Sequence, residues 1–125
     1  MKIAIDIDDT FWKLVEDKDP RPTGIGAMCA CGIPMKQEID QTMVDLVQSL
    51  VLDHQVFIWS AGGVEYAKNW IKRFCPAWES LVEVIPKEKG QGIDVCVDDQ
   101  EVDLAPILLR IKREHSDHWK EDKAL

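Results

Sequence analysis

Four short apolar segments, each followed by polar residues, constrain the fold of this 125-residue chain more than any other feature. We predict strands at residues 2–7, 56–59, 81–85 and 93–97. Residues 36–52 and 64–74 lie between them and repeat apolar residues at helical spacing. Strands that alternate with helices pair in parallel through right-handed crossovers. The sequence therefore predicts an α/β domain in three layers, a parallel sheet flanked by helices.

The remaining segments are predicted to be a loop, a last helix and a tail. Residues 11–35 are rich in proline and glycine and are expected to form a loop or flap insertion. The last helix is expected to begin near Val102, with no fifth strand, and residues 115–125 form a polar tail. A chain of this length buries one core, so we treat residues 1–125 as a single domain.

Composition and charge limit the classes of function. Hydrophobic residues make up 46% of the chain, which is typical of a soluble globular protein. The apolar runs are only as long as strands, which predicts neither a membrane span nor a secretory segment and favours a cytoplasmic location. With 15 basic against 23 acidic residues, the net charge is -8. This charge disfavours general nucleic-acid binding.

The four cysteines do not form a recognisable metal or disulfide pattern. Without a secretory segment, reduced thiols are the expectation. Cys29 and Cys31 are separated by one residue in the glycine-rich loop, and no CxxC pair occurs. Because a structural zinc site usually needs four ligands, zinc is disfavoured, and the role of this loop stays open.

Polar side chains collect where the predicted strands end. They are Asp6, Asp8 and Thr10 after the first strand, Ser60 after the second, Lys87 or Lys89 after the third, and Asp98 and Asp99 after the fourth. These ends share one edge of a parallel sheet, so the residues are expected to converge. Carboxylates that lie close together repel one another and need a cation, for which Mg²⁺ is the expected partner. The set of side chains is typical of phosphoryl transfer.

In this order the motifs resemble those of the haloacid dehalogenase (HAD) superfamily of aspartyl phosphotransferases. Residues 6–10 match its DxDxT motif, Trp59-Ser60 its second motif, a lysine follows, and residues 97–99 match its acidic motif. The resemblance covers about residues 1–105. It implies a Rossmann-like core whose first strand lies between the second and the fourth.

The resemblance also implies the catalytic and metal-binding roles. Asp6 would attack phosphorus and form an aspartyl-phosphate, and Asp8 would act as general acid and then as general base. Mg²⁺ would be held by the Asp6 carboxylate, the Asp8 main-chain carbonyl and an acid of the fourth motif. Asp99 is the preferred ligand at that position, and Asp98 is the second candidate, with a role in orienting its neighbours. The implied activity is that of a Mg²⁺-dependent phosphomonoesterase.

Phosphate binding is assigned to two segments and a lysine. Ser60 and the backbone N–H groups of Ala61 and Gly62, together with Thr10, would hold the phosphoryl oxygens. Lys87 is the first choice for the lysine because it directly follows the third strand, and Lys89 is the second.

The chain departs from the family because no segment is long enough for a cap domain. An open site suits a macromolecular phosphate, or a small phosphorylated substrate if a second copy of the chain serves as lid. Trp12 and Trp59 adjoin the expected site and are candidates for lining a leaving-group pocket.

Two other functions remain as alternatives. One is a HAD-like binding or regulatory module with little turnover. The other, more distant, is a phosphoacceptor receiver domain, whose acceptor aspartate ends a middle strand. Asp53 is the nearest candidate acceptor, but it precedes a predicted strand.

Overall fold

A computed structural model describes residues 1–16, 27–28 and 34–113. Its elements, in chain order, are β1 (Lys2–Asp6), β2 (Trp12–Glu16), β3 (Ala27–Met28), β4 (Pro34–Ile39), α1 (Gln41–Leu50), β5 (Gln55–Trp59), α2 (Val64–Phe74), a 3₁₀ helix (Pro76–Ser80), β6 (Glu83–Val84), β7 (Val95–Asp98) and β8 (Ile107–Arg110). Neither α-helix of this described part has the length and hydrophobicity to cross a bilayer.

The main sheet of the described residues has five parallel strands in the order β6-β5-β1-β7-β8. The prediction that the first strand lies between the second and the fourth is confirmed. Asp6 at the end of β1 is level with Trp59 of β5, and Ile5 is level with Val97 of β7. From β1 the chain moves outward through β5 to β6 and then returns to the other side of β1. This reversal places a topological switch point, where α/β folds bind ligands, at the end of β1.

The two faces of the sheet are covered differently. Ile3 and Ile5 point to the face on which α1 and α2 pack, through Val47 and Ile71 among others. Trp59 points to the opposite face, with Ala4 and Cys96, where the described cover comes from Ile85, Ile93 and residues 102–108 without a helix. Right-handed crossovers place connections on opposite faces when the chain reverses direction. The domain is thus α/β and compatible with a Rossmann-like fold, and within the described residues both α-helices lie on one face of the main sheet.

Strand β8 occupies part of the segment for which a helix was predicted from Val102. It pairs in parallel with β7, so the prediction that a fifth strand is absent is also wrong. Pro106 explains the difference, because proline disfavours a helical conformation in the preceding residue and donates no hydrogen bond. Ile107 and Leu109 of this edge strand are about half exposed.

A small antiparallel sheet, in the order β2-β4-β3, replaces much of the predicted loop. The predicted helix of residues 36–52 begins later, at Gln41, because residues 36–39 belong to β4. Asp40 caps α1 by accepting hydrogen bonds from the backbone of Thr42 and Met43, at 3.1 and 3.3 Å. Cys29 and Cys31, like residues 115–125, lie outside the described residues. Helix α2 has the predicted bounds.

Phe11 anchors the turn that follows β1 in the helix-side core. Its ring stacks on Trp70 of α2 at 5.6 Å between centroids and lies 5.1 Å from Trp78 of the 3₁₀ helix. All three side chains are buried. The turn that carries Asp8 and Thr10 is therefore fixed relative to α2.

Candidate active site

Three carboxylates lie together at the carboxyl ends of the two central strands. Asp6 ends β1, Asp98 ends β7, and Asp99 follows directly. All three are buried, and one carboxylate oxygen from each lies within 4.8 Å of the others. Buried charges are costly unless they are paired or bind a metal. The described residues therefore include a cluster that could hold a metal ion.

Lys87 is the lysine that contacts this cluster. Its Nζ lies 3.1 Å from Asp6 Oδ1 and 2.7 Å from Asp98 Oδ2. Burial alone would lower the pKa of Lys87, but the two carboxylates raise it above its ordinary value, so the ammonium stays charged. Lys89, the second choice, instead forms an exposed pair with Asp103 at 2.9 Å. The structure thus brings Lys87, and not Lys89, to the acids.

The surroundings of Asp6 are unfavourable for its negative charge. Burial, followed by repulsion from Asp98, raises the pKa of Asp6 to about 7, although Lys87 acts in the opposite direction. Burial also raises the pKa of Asp99. One ammonium beside three carboxylates leaves a net charge of -2 if all three are ionised. A divalent cation would neutralise that charge.

Asp98 and Asp99 differ in their partners. Asp98 contacts Lys87 through Oδ2 and accepts the backbone N–H of Gln100 through Oδ1, at 2.9 Å. Asp99 accepts a 2.7 Å hydrogen bond from the Gln100 side chain. Asp98 is thereby engaged in orienting the lysine. This arrangement favours Asp99 as the second metal ligand beside Asp6.

Asp8 lies outside the group of three carboxylates and has two donors of its own. Its Oδ1 accepts hydrogen bonds from the Tyr66 hydroxyl, at 2.5 Å, and from the Trp12 indole, at 3.2 Å. Burial and then this hydrogen bond raise the pKa of Tyr66, so its hydroxyl remains a donor. Both of these hydrogen bonds are accepted by Oδ1 of Asp8. Sequence reasoning missed Tyr66 because no motif marks it.

Ser60 begins the turn between β5 and α2. Its side chain is buried, and its Oγ accepts the backbone N–H of Gly62 at 3.0 Å. Ala61 and Gly62 are exposed directly before α2, whose N-terminus presents backbone donors that suit an anion. A Cβ atom on Gly62 would lie 3.0 Å from the Tyr66 ring, so the small residue permits that close packing. Phosphate binding by Ser60, Ala61 and Gly62 stays a prediction, and the backbone N–H of Gly62 is already donated to Ser60 Oγ.

Arg113 contacts the turn that follows β1. Its guanidinium donates to the carbonyl oxygens of Asp9 and Thr10, both at 2.6 Å, and pairs with Asp40 at 2.8 Å. Asp9 has φ of 60°, which is uncommon for a non-glycine residue. Nothing in the sequence indicated Arg113, because it lies after a strand that was not predicted.

Thr10 is fully buried in this turn. Its hydroxyl has no hydrogen-bond partner among the described residues, and its backbone N–H donates to the carbonyl of Ile7 at 3.1 Å. A phosphate-binding role for Thr10 therefore stays a prediction. Trp59 is also fully buried, on the face away from the helices, so it does not line an open pocket.

Known proteins give no independent guide to this site. No protein-family model matches the sequence, and no curated protein or solved structure matches it.

Proposed function

We propose that this protein is a Mg²⁺-dependent phosphohydrolase that cleaves phosphate monoesters through an aspartyl-phosphate on Asp6. The observation that carries the proposal is the contact of Lys87 with both Asp6 and Asp98 inside a buried group of carboxylates. An arrangement that concentrates like charges at a switch point is unfavourable for folding alone. It suits a reaction in which an anionic phosphoryl group is held and transferred.

In the first step, a carboxylate oxygen of Asp6 attacks phosphorus. The new bond joins that oxygen to phosphorus, and the bond between phosphorus and the ester oxygen breaks. Protonated Asp8 gives its proton to the departing oxygen, which leaves as an alcohol. Lys87 offsets the negative charge near the attacking oxygen, and the Ser60 hydroxyl and the backbone N–H of Ala61 hold the phosphoryl oxygens.

In the second step, water attacks the aspartyl-phosphate. Asp8, now a carboxylate, takes a proton from that water, and the bond between phosphorus and Asp6 breaks. Inorganic phosphate leaves, and both aspartates return to their starting states. The hydrogen bonds from Tyr66 and Trp12 keep Asp8 in place for both proton transfers.

Asp6 and Asp99 would hold the metal ion, with Asp98 as a neighbouring carboxylate that orients Lys87. The buried oxygens fit a hard cation that prefers oxygen ligands and is held by one or two carboxylates and a phosphate. When bound, Mg²⁺ supplies positive charge to the transferring phosphoryl group.

Asp53, the acceptor that the receiver alternative requires, is exposed and precedes β5. It therefore lies at the end of β5 opposite Ser60, whereas the acids and Lys87 converge beyond the carboxyl ends of the strands. This placement favours hydrolysis at Asp6 over a receiver-type acceptor.

Hydrolysis of p-nitrophenyl phosphate tests the proposal. We expect turnover with Mg²⁺, loss of turnover with EDTA, and loss in Asp6→Asn. Asp103→Asn is the matched control, because it makes the same chemical change at an exposed pair. Wild-type turnover by Asp6→Asn would contradict the mechanism.

A further inference from the structure

A cavity of about 250 Å³ opens beside Asp8, between the small antiparallel sheet and α2. Trp12 of β2 and Tyr66 of α2 line it, and these two side chains also donate the hydrogen bonds to Asp8. Two larger cavities, of about 590 and 550 Å³, have linings that include neither Trp12 nor Tyr66. Of these three cavities, the smallest is therefore the one whose lining side chains contact Asp8.

The direction of the reaction decides what enters this cavity. If Asp8 protonates the departing oxygen, the alcohol part of the ester must lie on the Asp8 side of phosphorus. Tyr66 joins the two regions, because its ring packs over Gly62 and its hydroxyl reaches Asp8. An ester whose phosphate lies at Ser60 and Gly62 would thus extend past Tyr66 into the cavity.

The lining combines aromatic faces with hydrogen-bonding groups. Trp12 is partly exposed, and Tyr66 and Phe74 are 39% and 44% exposed, so their rings are accessible to a ligand. Gln37 of β4 and Asn69 of α2 add two side-chain amides. Such amides donate and accept at the same time, which matches the edge of a heterocyclic base and has no counterpart on a plain phenyl ring.

Arg73 supplies the cation of this lining. Its Cζ lies 5.1 Å from the centroid of the Phe74 ring, in a cation–π arrangement that keeps the guanidinium beside the cavity. A guanidinium donates hydrogen bonds and does not accept them, so it suits the ring nitrogens and carbonyl oxygens of a base.

We propose that the cavity binds the base of a nucleoside monophosphate, which would be the substrate class of this enzyme. The proposal rests on the phosphohydrolase function for the direction in which the ester lies. Stacking of a base on aromatic side chains corresponds to roughly 5- to 150-fold in affinity. A nucleotide should therefore bind tighter, by a factor in this range, than a sugar phosphate without a base.

The first test compares ligand binding to Asp6→Asn protein with Mg²⁺ by isothermal titration calorimetry. The ligands are the 5′- and 3′-monophosphates of the four ribonucleosides, ribose 5-phosphate and O-phosphotyrosine. We expect at least one nucleotide to bind about tenfold or more tightly than ribose 5-phosphate. Equal or absent binding of all nucleotides, or tighter binding of O-phosphotyrosine, would overturn the proposal.

The second test locates the binding. Asn69→Ala, made in the Asp6→Asn protein, should reduce the preference for the nucleotide over ribose 5-phosphate by about fivefold or more. Gln48→Ala is the control, because Gln48 is also an exposed helical amide but lies on α1, outside the cavity lining. An unchanged preference in Asn69→Ala would also overturn the proposal.

Turnover by the wild-type protein separates this proposal from the function on which it rests. Nucleotide-selective binding without hydrolysis of any ester would leave the cavity assignment in place and remove the phosphohydrolase. Hydrolysis that depends on Asp6 but is equally fast for ribose 5-phosphate and for nucleotides would keep the phosphohydrolase and remove the cavity assignment.

Discussion

Replacing Asp6 by asparagine should stabilise the metal-free protein while it abolishes turnover. The folded state raises the pKa of Asp6 from its ordinary 3.8 to about 7. Between these two values the unfolded chain loses the proton and the folded protein keeps it. Stability therefore falls as pH rises through this window, and the full loss is present above pH 7. Asparagine carries no charge in either state and does not contribute this loss.

The two pKa values of Asp6 differ by about three pH units. At 1.36 kcal/mol for each, the ionised aspartate costs the folded protein about 4 kcal/mol above pH 7. At pH 5, only part of the window has been crossed, and the cost is about 2 kcal/mol. The free energy of unfolding of Asp6→Asn should exceed that of the wild type by about these amounts, because the amide oxygen of the asparagine can still accept a hydrogen bond from Lys87.

Urea unfolding in EDTA at pH 5 and pH 8.5 measures this difference. Asp103→Asn, at an exposed pair, should change the free energy of unfolding by less than about 0.5 kcal/mol at either pH. Saturating Mg²⁺ should stabilise the wild type more than Asp6→Asn, because binding to the folded state adds to its stability. If Asp6→Asn is less stable than the wild type at both pH values, the charge repulsion inferred for Asp6 is wrong.

Three other substitutions test separate parts of the site. Lys87→Met should lower turnover at least about 100-fold and destabilise the protein by about 3 kcal/mol, because Lys87 pairs with two buried carboxylates. Lys89→Met is the control and should change stability by less than about 0.5 kcal/mol in the same assays, because its pair is exposed. Gly62→Ala should lower kcat with little change in the unfolding midpoint, because its Cβ would displace the ring that bonds Asp8; an unchanged kcat would count against that contact. Arg113→Ala should cost about 3 kcal/mol in urea unfolding. Burial would raise the pKa of Asp40, but hydrogen bonds and the Arg113 charge lower it below 3.8. Ionised Asp40 therefore stabilises the folded protein above pH 3.8, and this stabilisation is lost as pH falls through the lowered pKa. The free energy of unfolding lost at low pH should be smaller in Arg113→Ala than in the wild type. An identical pH dependence in the two proteins would contradict the role of Arg113 in lowering the pKa of Asp40.

The sequence predicted the groups that follow directly from strand ends. Asp6, Asp98 and Lys87 come together because parallel strands end at one edge, and that rule needs only the strand positions. Asp99 joins them as the next residue along the chain. The choice of Lys87 over Lys89 also followed from its place directly after the third strand.

The sequence did not reveal contacts that depend on how distant elements approach one another. Tyr66 reaches Asp8 from α2, 58 positions along the chain, and Arg113 reaches the same turn from beyond β8. Pro106 was the available indication that a helix would not run through residues 102–110. Asp40, directly before Gln41, was likewise a usable N-cap indication for the later start of α1.

Detection of the covalent intermediate tests the central claim most directly. Wild-type protein and Asp8→Asn are mixed with Mg²⁺ and p-nitrophenyl phosphate, quenched in acid and reduced with borohydride, which converts a phosphorylated aspartate to homoserine. Peptide mass spectrometry then locates the reduced residue. We expect it at position 6, with more in Asp8→Asn, because p-nitrophenolate leaves without a proton from Asp8 in the first step, whereas this variant cannot activate water for the second step. Turnover without reduction at position 6, or reduction at another aspartate, would contradict the account.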